Sequence, residues 1–275
     1  MIRLAVRCRP ELAETTLAAL LELAPGGVEQ EETPEYVEYA IYGWPGELPE
    51  LPQLEATAGD GLVEITVEEV PEDWADRWRD FHLPITVGGR IQIRPSWEER
   101  LEEDLLDVVI DPGRAFGTGA HATTRLCIEL LLELADEGQA RGPLIDLGTG
   151  SGVLALAAAR LGWAPVAGCD SERAALDAAA ANAEANGIEL GLERVDVRRE
   201  PPPRAETMTA NLTADLLLPV AHRLAESGDR PRALVCSGLL DRQADDVRDA
   251  FGAAGLDEAR RLTEGEWVAI SFAPA

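Results

Sequence analysis

The stretch Leu144-Ile145-Asp146-Leu147-Gly148-Thr149-Gly150-Ser151-Gly152 decides how this chain folds. Its apolar run, broken by one carboxylate, is typical of a strand that is buried on both faces of a sheet. The three glycines permit the positive φ and the close backbone approach of a tight turn. A helix is predicted at 152–161, so the loop joins a strand to a helix. Such loops lie in the crevice at the carboxyl ends of the strands, where open α/β sheets bind ligands.

Strands and helices alternate on both sides of this loop from about residue 85 onward. Before it, Ile91–Arg94 and Asp107–Asp111 form a hairpin-like region. The hydrophobic periodicity further predicts helices at 123–137, 172–186, 213–226 and 241–254, and strands at 143–147, 165–170, 192–197, 207–212, 233–238, 259–263 and 267–273. This order predicts an α/β, Rossmann-like and mostly parallel sheet with helices on both faces.

A smaller domain is predicted ahead of this sheet. Residues 1–70 read as βαββαβ, the order of a ferredoxin-like α+β domain, with strands at 2–8, 28–32, 36–42 and 62–70 and helices at 11–23 and 48–57. Residues 71–84 are predicted to form a connector helix, followed by the large domain at 85–275. The connector places Trp74, Trp78 and Phe81 on one helix face, and packing between domains is favoured over a substrate-binding patch.

The charge balance restricts the partners of this protein. Fifty-one acidic residues face 24 basic ones, all arginine, for a net charge of −27. Such a surface repels phosphate, so we expect no direct nucleic-acid contact. It suits a basic partner, although solubility or a salty habitat explains the acidity equally well. No run of ~18 uncharged apolar residues exists and no signal peptide is evident, so we expect a cytoplasmic protein without membrane contact.

The glycine spacing separates the candidate cofactors. Gly-x-Gly-x-Gly followed by Val153 misses the dinucleotide fingerprint, and the Gly-Lys-Ser/Thr of a phosphate loop is absent. Asp146 opposes a pyrophosphate and favours a cationic group. S-adenosylmethionine carries a sulfonium and an ammonium and has no phosphate, so it suits this loop. Neither the four cysteines nor the three histidines show metal-ligand spacing, and no metal is expected.

Two further acids are predicted near strand ends. Asp170 ends the second strand, where a carboxylate accepts hydrogen bonds from both ribose hydroxyls. Asp196, on the third strand, is suited to accept from the adenine amino group. Two other interpretations stay open: Asp170 as the N-cap of a helix at 171–186, and Asp196 as an exposed loop acid.

Four segments resemble the PrmA family, the methyltransferases of ribosomal protein eleven of the large subunit. The resemblance covers roughly residues 71–275, whereas the small domain matches only in size and strand order. The most specific of the four is the first, which contains Ala-Phe-Gly-Thr-Gly-x-His-x-Thr-Thr. The segments are Asp111–Thr124, Asp146–Ala155, Thr209–Leu212 and Glu264–Val268.

This resemblance implies an S-adenosylmethionine-dependent N-methyltransferase that modifies lysine side-chain amines and an N-terminal α-amine of a basic ribosomal protein. The resemblance implies cofactor contacts at Thr124, Gly148, Asp170 and Asn211. Together with the loop residue Gly150 and the acid Asp196, these are the candidate cofactor-binding residues. Asn211 is also the candidate catalytic residue, because it lies where the incoming amine arrives.

Other interpretations of the resembling residues stay open. Thr123 and Thr124 are also suited to capping the following helix, and His121 to packing. The chain is alternatively a methyltransferase for another protein or small-molecule amine, or a non-catalytic cofactor-binding module. The Asn-Pro-Pro-Tyr type signature of amide and adenine methyltransferases is absent after Asn211, and Val153 disfavours a nucleotide-dependent dehydrogenase. We expect a monomer.

Overall fold

The computed structural model describes residues 2–13, 16, 20, 29–33, 36–43, 62–69, 83–111 and 121–275. The chain divides into two compact units, Met1–Phe81 and His82–Ala275. The helices predicted at 11–23 and 48–57 and the connector helix at 71–84 lie wholly or largely outside the described residues.

The first unit contains a four-stranded antiparallel sheet in the order β2-β3-β1-β4. Each predicted helical segment therefore joins two strands that have one other strand between them, which is the split βαβ arrangement of a ferredoxin-like domain. Alternate side chains of β1, including Leu4 and Val6, are buried against Tyr39 and its neighbours on β3. The strands are β1 (Ile2–Cys8), β2 (Glu29–Glu32), β3 (Val37–Gly43) and β4 (Leu62–Glu69).

The second unit begins with a three-stranded sheet that corrects one prediction. Its strands are β5 (Ile85–Val87), β6 (Ile91–Arg94) and β7 (Leu106–Val109). The predicted hairpin between Ile91–Arg94 and Asp107–Asp111 is wrong, because β6 and β7 pair in parallel and the antiparallel partner of β6 is β5. A parallel pair needs a long return connection, and residues 95–105 provide it by carrying the chain back before β7 starts.

The main sheet has seven strands in the order β10-β9-β8-β11-β12-β14-β13. The neighbours from β10 to β12 are parallel, whereas β14 runs antiparallel to both β12 and β13. The strand order reverses between β8 and β11, which is where such sheets bind ligands. The strands are β8 (Leu144–Leu147), β9 (Val166–Asp170), β10 (Gly191–Arg194), β11 (Thr207–Asn211), β12 (Ala233–Leu240), β13 (Leu256–Glu264) and β14 (Trp267–Pro274).

In the described part of the second unit, five helices cover both faces of the main sheet. They are α1 (Ala122–Asp136), α2 (Val153–Leu161), α3 (Arg173–Asn186), α4 (Ala214–Ser227) and α5 (Asp241–Ala253). None of the helices in the described part of the chain is long and apolar enough to cross a membrane. The predicted α/β sheet with helices on both faces is thus confirmed.

Each face of the main sheet has its own hydrophobic core. Along β12 the side chains alternate, so that Val235 packs into one core while Leu234 and Cys236 pack into the other. Trp163, almost fully buried, satisfies its indole by donating from Nε1 to Oγ1 of Thr207 at 3.1 Å. The helices and strands around the glycine loop are therefore held between two packed layers.

The third strand of the parallel half is shorter than predicted. A strand was expected at 192–197, but β10 ends at Arg194. The reason is a turn that begins at Asp196, whose carbonyl oxygen accepts hydrogen bonds at 2.8 Å from the N–H groups of both Arg199 and Glu200. Asp196 consequently lies just beyond the strand and not within it.

Candidate active site

The glycine loop packs closely against the end of β11. Gly148 has a φ of 69°, and a Cβ atom at this position would lie 2.4 Å from Cδ2 of Leu212. A side chain here would be strained by the left-handed backbone and would also displace the Leu212 side chain, so glycine suits this position. The loop therefore lies where the sequence predicts it, at the carboxyl end of β8 and beside the reversal of strand order.

The first N–H groups of the loop are bonded within the protein. Those of Gly148 and Thr149 donate to the carbonyl oxygen of Cys169 at 2.8 and 2.9 Å. The N–H of Gly150 donates to Oδ2 of Asp170 at 3.1 Å. Dinucleotide and phosphate loops turn such N–H groups toward the anion. This loop therefore disfavours a pyrophosphate and suits a ligand without phosphate.

Asp170 ends β9 and lies directly beside the glycine loop. Its Oδ2 atom accepts from Gly150, and its Oδ1 atom accepts from the N–H of Glu172 at 3.0 Å. The N-cap of α3 is Glu172, so the interpretation of Asp170 as the helix cap is wrong. An ionised carboxylate has about four acceptor positions. Asp170 can therefore shape the loop and still accept hydrogen bonds from a ligand.

Asp196 lies next to Asp170 although it is outside the strand. The N–H of Val195 donates to the carbonyl oxygen of Asp170 at 3.0 Å and so joins the two segments. The side chain of Asp196 is about one-third exposed, and its Oδ1 atom accepts from the N–H of Arg198 at 3.1 Å. The structure thus brings the two acids predicted for ribose and adenine to the same edge of the sheet.

Asn211 and Thr124 meet at the other side of the loop. Asn211 is the last residue of β11, and its Nδ2 atom donates to Oγ1 of the buried Thr124 at 3.3 Å. Thr124 lies in the first turn of α1, but the N-cap of that helix is His121. The capping interpretation of Thr123 and Thr124 is therefore wrong. The hydrogen bond leaves Thr124 oriented toward the end of β11.

His121 combines a capping and a packing role. Its Nδ1 atom accepts from the N–H of Thr123 at 3.4 Å, and its ring meets that of Trp267 edge-on with centroids 4.9 Å apart. Burial, reinforced by the charge of Arg125, holds the pKa of His121 below its ordinary value. A neutral imidazole is what the cap needs, because a protonated Nδ1 cannot accept. The packing interpretation of His121 is thus confirmed.

Asp146 is the buried carboxylate beneath the loop. It accepts hydrogen bonds from Oγ1 of Thr149 at 2.8 Å and from Oγ1 of Thr209 at 2.7 Å. Burial raises its pKa to about 6 despite these two donors. The hydroxyl partners were missed in the sequence, because Thr209 is distant along the chain and comes close only through the pairing of β11 with β8. The loop therefore packs over a buried carboxyl group that holds its proton more tightly than an exposed one.

We predict that Asp146→Asn changes how stability depends on pH. Because the folded pKa is raised from 3.8 to about 6, the wild-type loses stability as pH rises through this window, where the unfolded chain has already released the proton. At 1.36 kcal/mol per unit of pKa shift, and with the unfolded carboxyl already about half ionised at pH 4, the variant should gain about 2 kcal/mol relative to wild-type between pH 4 and pH 7. Urea unfolding at four pH values measures the difference, and parallel profiles would contradict the assignment.

The segment 112–120 lies outside the described residues. It carries most of the Ala-Phe-Gly-Thr-Gly-x-His-x-Thr-Thr stretch. The described residues on either side of it, Asp111 and His121, belong to the region around β7 and α1.

This site has the features of a class I methyltransferase of the Rossmann-like type. They are the reversal of strand order, the glycine loop at β8 and the polar residues at the ends of β9 and β11. The sequence profile of the family described as "Ribosomal protein L11 methyltransferase (PrmA)" matches residues 48–274. The chain therefore belongs to this family, and the resemblance noted in its motifs is confirmed.

Individual relatives agree with this assignment. The chain is 35% identical to a ribosomal protein L11 methyltransferase of Pelotomaculum thermopropionicum, over 98% of this chain and 97% of the relative. It is 36% identical to that of Symbiobacterium thermophilum, over 91% and 83% of the two chains. The crystal structure of a ribosomal protein L11 methylase from Lactobacillus delbrueckii subsp. bulgaricus matches with a TM-score of 0.62 at 25% identity, over 70% of this chain and 99% of that one.

Proposed function

We propose that this chain transfers methyl groups from S-adenosylmethionine to lysine and N-terminal amines of large-subunit ribosomal protein L11. The observation that carries the proposal is the hydrogen bond between Asn211 and Thr124 beside the glycine loop, because it presents an oriented amide where an amine can enter. The similarity to L11 methyltransferases over nearly the whole chain supports the choice of substrate.

The residues present fit S-adenosylmethionine. The N–H groups of Gly148, Thr149 and Gly150 are bonded within the protein, which suits a ligand without phosphate. In our assignment Asp170 accepts from the ribose hydroxyls and Asp196 from the adenine amino group. The remaining contacts are assigned to Gly148, Gly150, Thr124 and Asn211. In its ionised form, the carboxylate of Asp146 beneath the loop favours a ligand with a positive charge.

The chain's own residues prepare the amine. S-adenosylmethionine supplies, when bound, a methyl carbon activated by the adjacent sulfonium. A lysine amine with an ordinary pKa of about 10.4 must lose its proton before it can attack, and desolvation in a closed site favours that loss. Because Nδ2 of Asn211 donates to Thr124, its Oδ1 atom can accept from an N–H of the amine and aim the lone pair. Holding the reacting atoms about 3–3.5 Å apart then supplies much of the acceleration.

Intact mass spectrometry of recombinant ribosomal protein L11, incubated with this chain and S-adenosylmethionine, tests the proposal. Increments of one methyl mass are the expected result. If S-adenosylmethionine binds but the mass of L11 does not change, the acceptor is a different amine and the proposed substrate is wrong.

We predict that Asn211→Ala lowers kcat by about 10- to 100-fold, since even a small misplacement of the amine is costly. Asn211→Asp is the matched control, because it keeps an acceptor oxygen and the size of the side chain. Turnover is measured on L11 and cofactor affinity by calorimetry. Full turnover by Asn211→Ala with unchanged affinity would show that the amide does not orient the amine.

The two units suggest a division of labour. We assign residues 1–70 to recognition of the protein substrate, residues 71–84 to a connector helix and residues 85–275 to methyl transfer. A chain without residues 1–70 should still bind S-adenosylmethionine but should not methylate L11. Methylation of L11 by the shortened chain would reject this division.

The partner is assigned as a basic ribosomal protein, and this chain is assigned no direct contact with nucleic acid. The net charge of −27 supports this choice, since it attracts basic proteins and repels phosphate. We further assign a monomer that acts in the cytoplasm. Methylation restricted to L11 already bound to ribosomal RNA would contradict the first assignment, and a dimer mass in light scattering would contradict the second.

A further inference from the structure

Within the described residues, the outer edge of β7 is completed by side chains and not by another strand. Nε of Arg160 donates to the carbonyl oxygen of Asp107 at 2.9 Å. Asn186 bonds both backbone groups of Val109, accepting from its N–H at 2.9 Å and donating to its carbonyl at 2.7 Å. Oδ1 of Asn182 accepts from the N–H of Asp111 at 3.1 Å. Two asparagines of α3 thus satisfy the end of this strand.

Asn182 and Asn186 differ in the group to which the side-chain Nδ2 atom donates. The Nδ2 atom of Asn182 donates to the carbonyl oxygen of Ser151, in the glycine loop, at 2.8 Å. The second contact of Nδ2 in Asn186 is with the carbonyl of Asn182, inside α3 itself. Asn182 and Ser151 are 4% and 3% exposed, so water does not compete for this bond. Asn182 therefore joins the glycine loop to Asp111.

The same helix face also packs on the loop one turn earlier. A Cβ atom at Gly152 would lie 3.3 Å from the Cβ of Ala179, so the backbone of the loop rests on α3. Van der Waals contact alone leaves the direction of the Ser151 carbonyl undefined, whereas a directional hydrogen bond sets it. The carbonyl group held in this way belongs to Ser151, the residue between Gly150 and Gly152 of the glycine loop.

We propose that Asn182 is a positioning residue for the cofactor. It holds the Ser151 peptide of the glycine loop in the orientation that S-adenosylmethionine requires, and it ties that orientation to the end of β7. This inference rests on the proposed placement of S-adenosylmethionine at the loop. Asn182 itself touches neither the reacting methyl group nor the amine in this assignment, so it should act on affinity and not on the chemical step.

Matched substitutions at the two asparagines test the proposal in the full chain. Asn182→Asp keeps the acceptor for Asp111 but loses the donor to Ser151. Asn186→Asp keeps the acceptor for Val109 and loses its donors without touching the loop. Both variants should lower the melting temperature of the cofactor-free protein to a similar extent. Only Asn182→Asp should raise the Kd for S-adenosylmethionine, by about tenfold, which corresponds to one buried hydrogen bond lost.

The kinetic readout separates positioning from general damage. For Asn182→Asp the KM for S-adenosylmethionine should rise with the Kd, while kcat changes less than about threefold. If the aspartate variants do not fold, Asn182→Ala and Asn186→Ala provide the same comparison. An unchanged Kd in Asn182→Asp, or an equal rise in Asn186→Asp, would overturn the proposal. Failure of the wild-type chain to bind S-adenosylmethionine would instead contradict the proposed function.

Discussion

Asp170→Ala is expected to weaken S-adenosylmethionine binding by at least about a hundredfold. The substitution removes a carboxylate that in our assignment accepts two ribose hydrogen bonds, and hydrogen bonds to a charged group contribute about 1.5–3 kcal/mol each. It also removes the acceptor for the N–H groups of Gly150 and Glu172, which lie 3.1 and 3.0 Å from the two oxygens. The loop would then lose both its ligand contact and part of its support. Calorimetric titration of the purified variant measures the effect.

Two controls separate these contributions. Asp170→Asn keeps one acceptor oxygen, so it should retain part of the loop support while losing ribose affinity. Asp196→Ala should weaken binding less than Asp170→Ala, because its carboxylate is partly exposed and contacts the ligand through a single proposed bond. If Asp170→Ala binds S-adenosylmethionine as tightly as the wild-type, the carboxylate only supports the local backbone and does not contact the ligand. The ribose site would then have to be sought elsewhere.

Gly238→Ala is expected to lower the free energy of unfolding by about 3 kcal/mol and to reduce methyl transfer. Gly238 has a φ of +85°, and its Cβ atom would lie 2.4 Å from the carbonyl oxygen of Leu212. An alanine in a left-handed conformation costs roughly 1–2 kcal/mol, and overpacking typically costs roughly 1–3 kcal/mol more. Because the collision is with backbone, Leu212 must move, and Asn211 must move with it. Denaturant unfolding and turnover are the two measurements.

Gly187→Ala is the matched control for this prediction. Gly187 has a φ of +63° and no atom within 4 Å of its Cβ position. It therefore carries the conformational cost without the collision and should lose only about 1 kcal/mol, with no effect on methyl transfer. Equal losses in both variants would mean that the contact between Gly238 and Leu212 does not constrain the site.

A shift of strand register around Gly238 explains why a substitution at this position affects the end of β11. The pairing of β12 with β14 shifts register between Cys236 and Leu239, and β-bulges often lie beside active sites, where they redirect the chain. The carbonyl oxygen of Ser237 accepts from the N–H of Leu212 at 3.0 Å. The end of β11, which carries Asn211, is thus held between the register shift of β12 and the glycine loop at Gly148.

The features that could be predicted from the sequence are those that short, local sequence patterns indicate. The apolar run before Gly148 indicates a central strand, and the spacing of the three glycines separates this loop from dinucleotide and phosphate loops. The alternation of strands and helices predicts the sheet and its helical layers. The motif at 111–124 is specific enough to indicate the family. Each of these signals comes from residues that are close together along the chain.

Only the tertiary structure decided which distant groups meet. Strand direction was one such feature, because residues 95–105 give no local signal of whether β7 returns antiparallel or crosses over. The tertiary structure also decided three side-chain contacts. These are the hydroxyl partners of Asp146, the contact between Asn211 and Thr124, and the bridge that Asn182 makes between Ser151 and Asp111. These contacts join segments far apart in sequence, and their geometry depends on sheet register and helix docking. The sequence alone therefore determined the class of site and its candidate residues, whereas the fold decided how those residues support one another, since packing between distant elements sets the directions of buried hydrogen bonds.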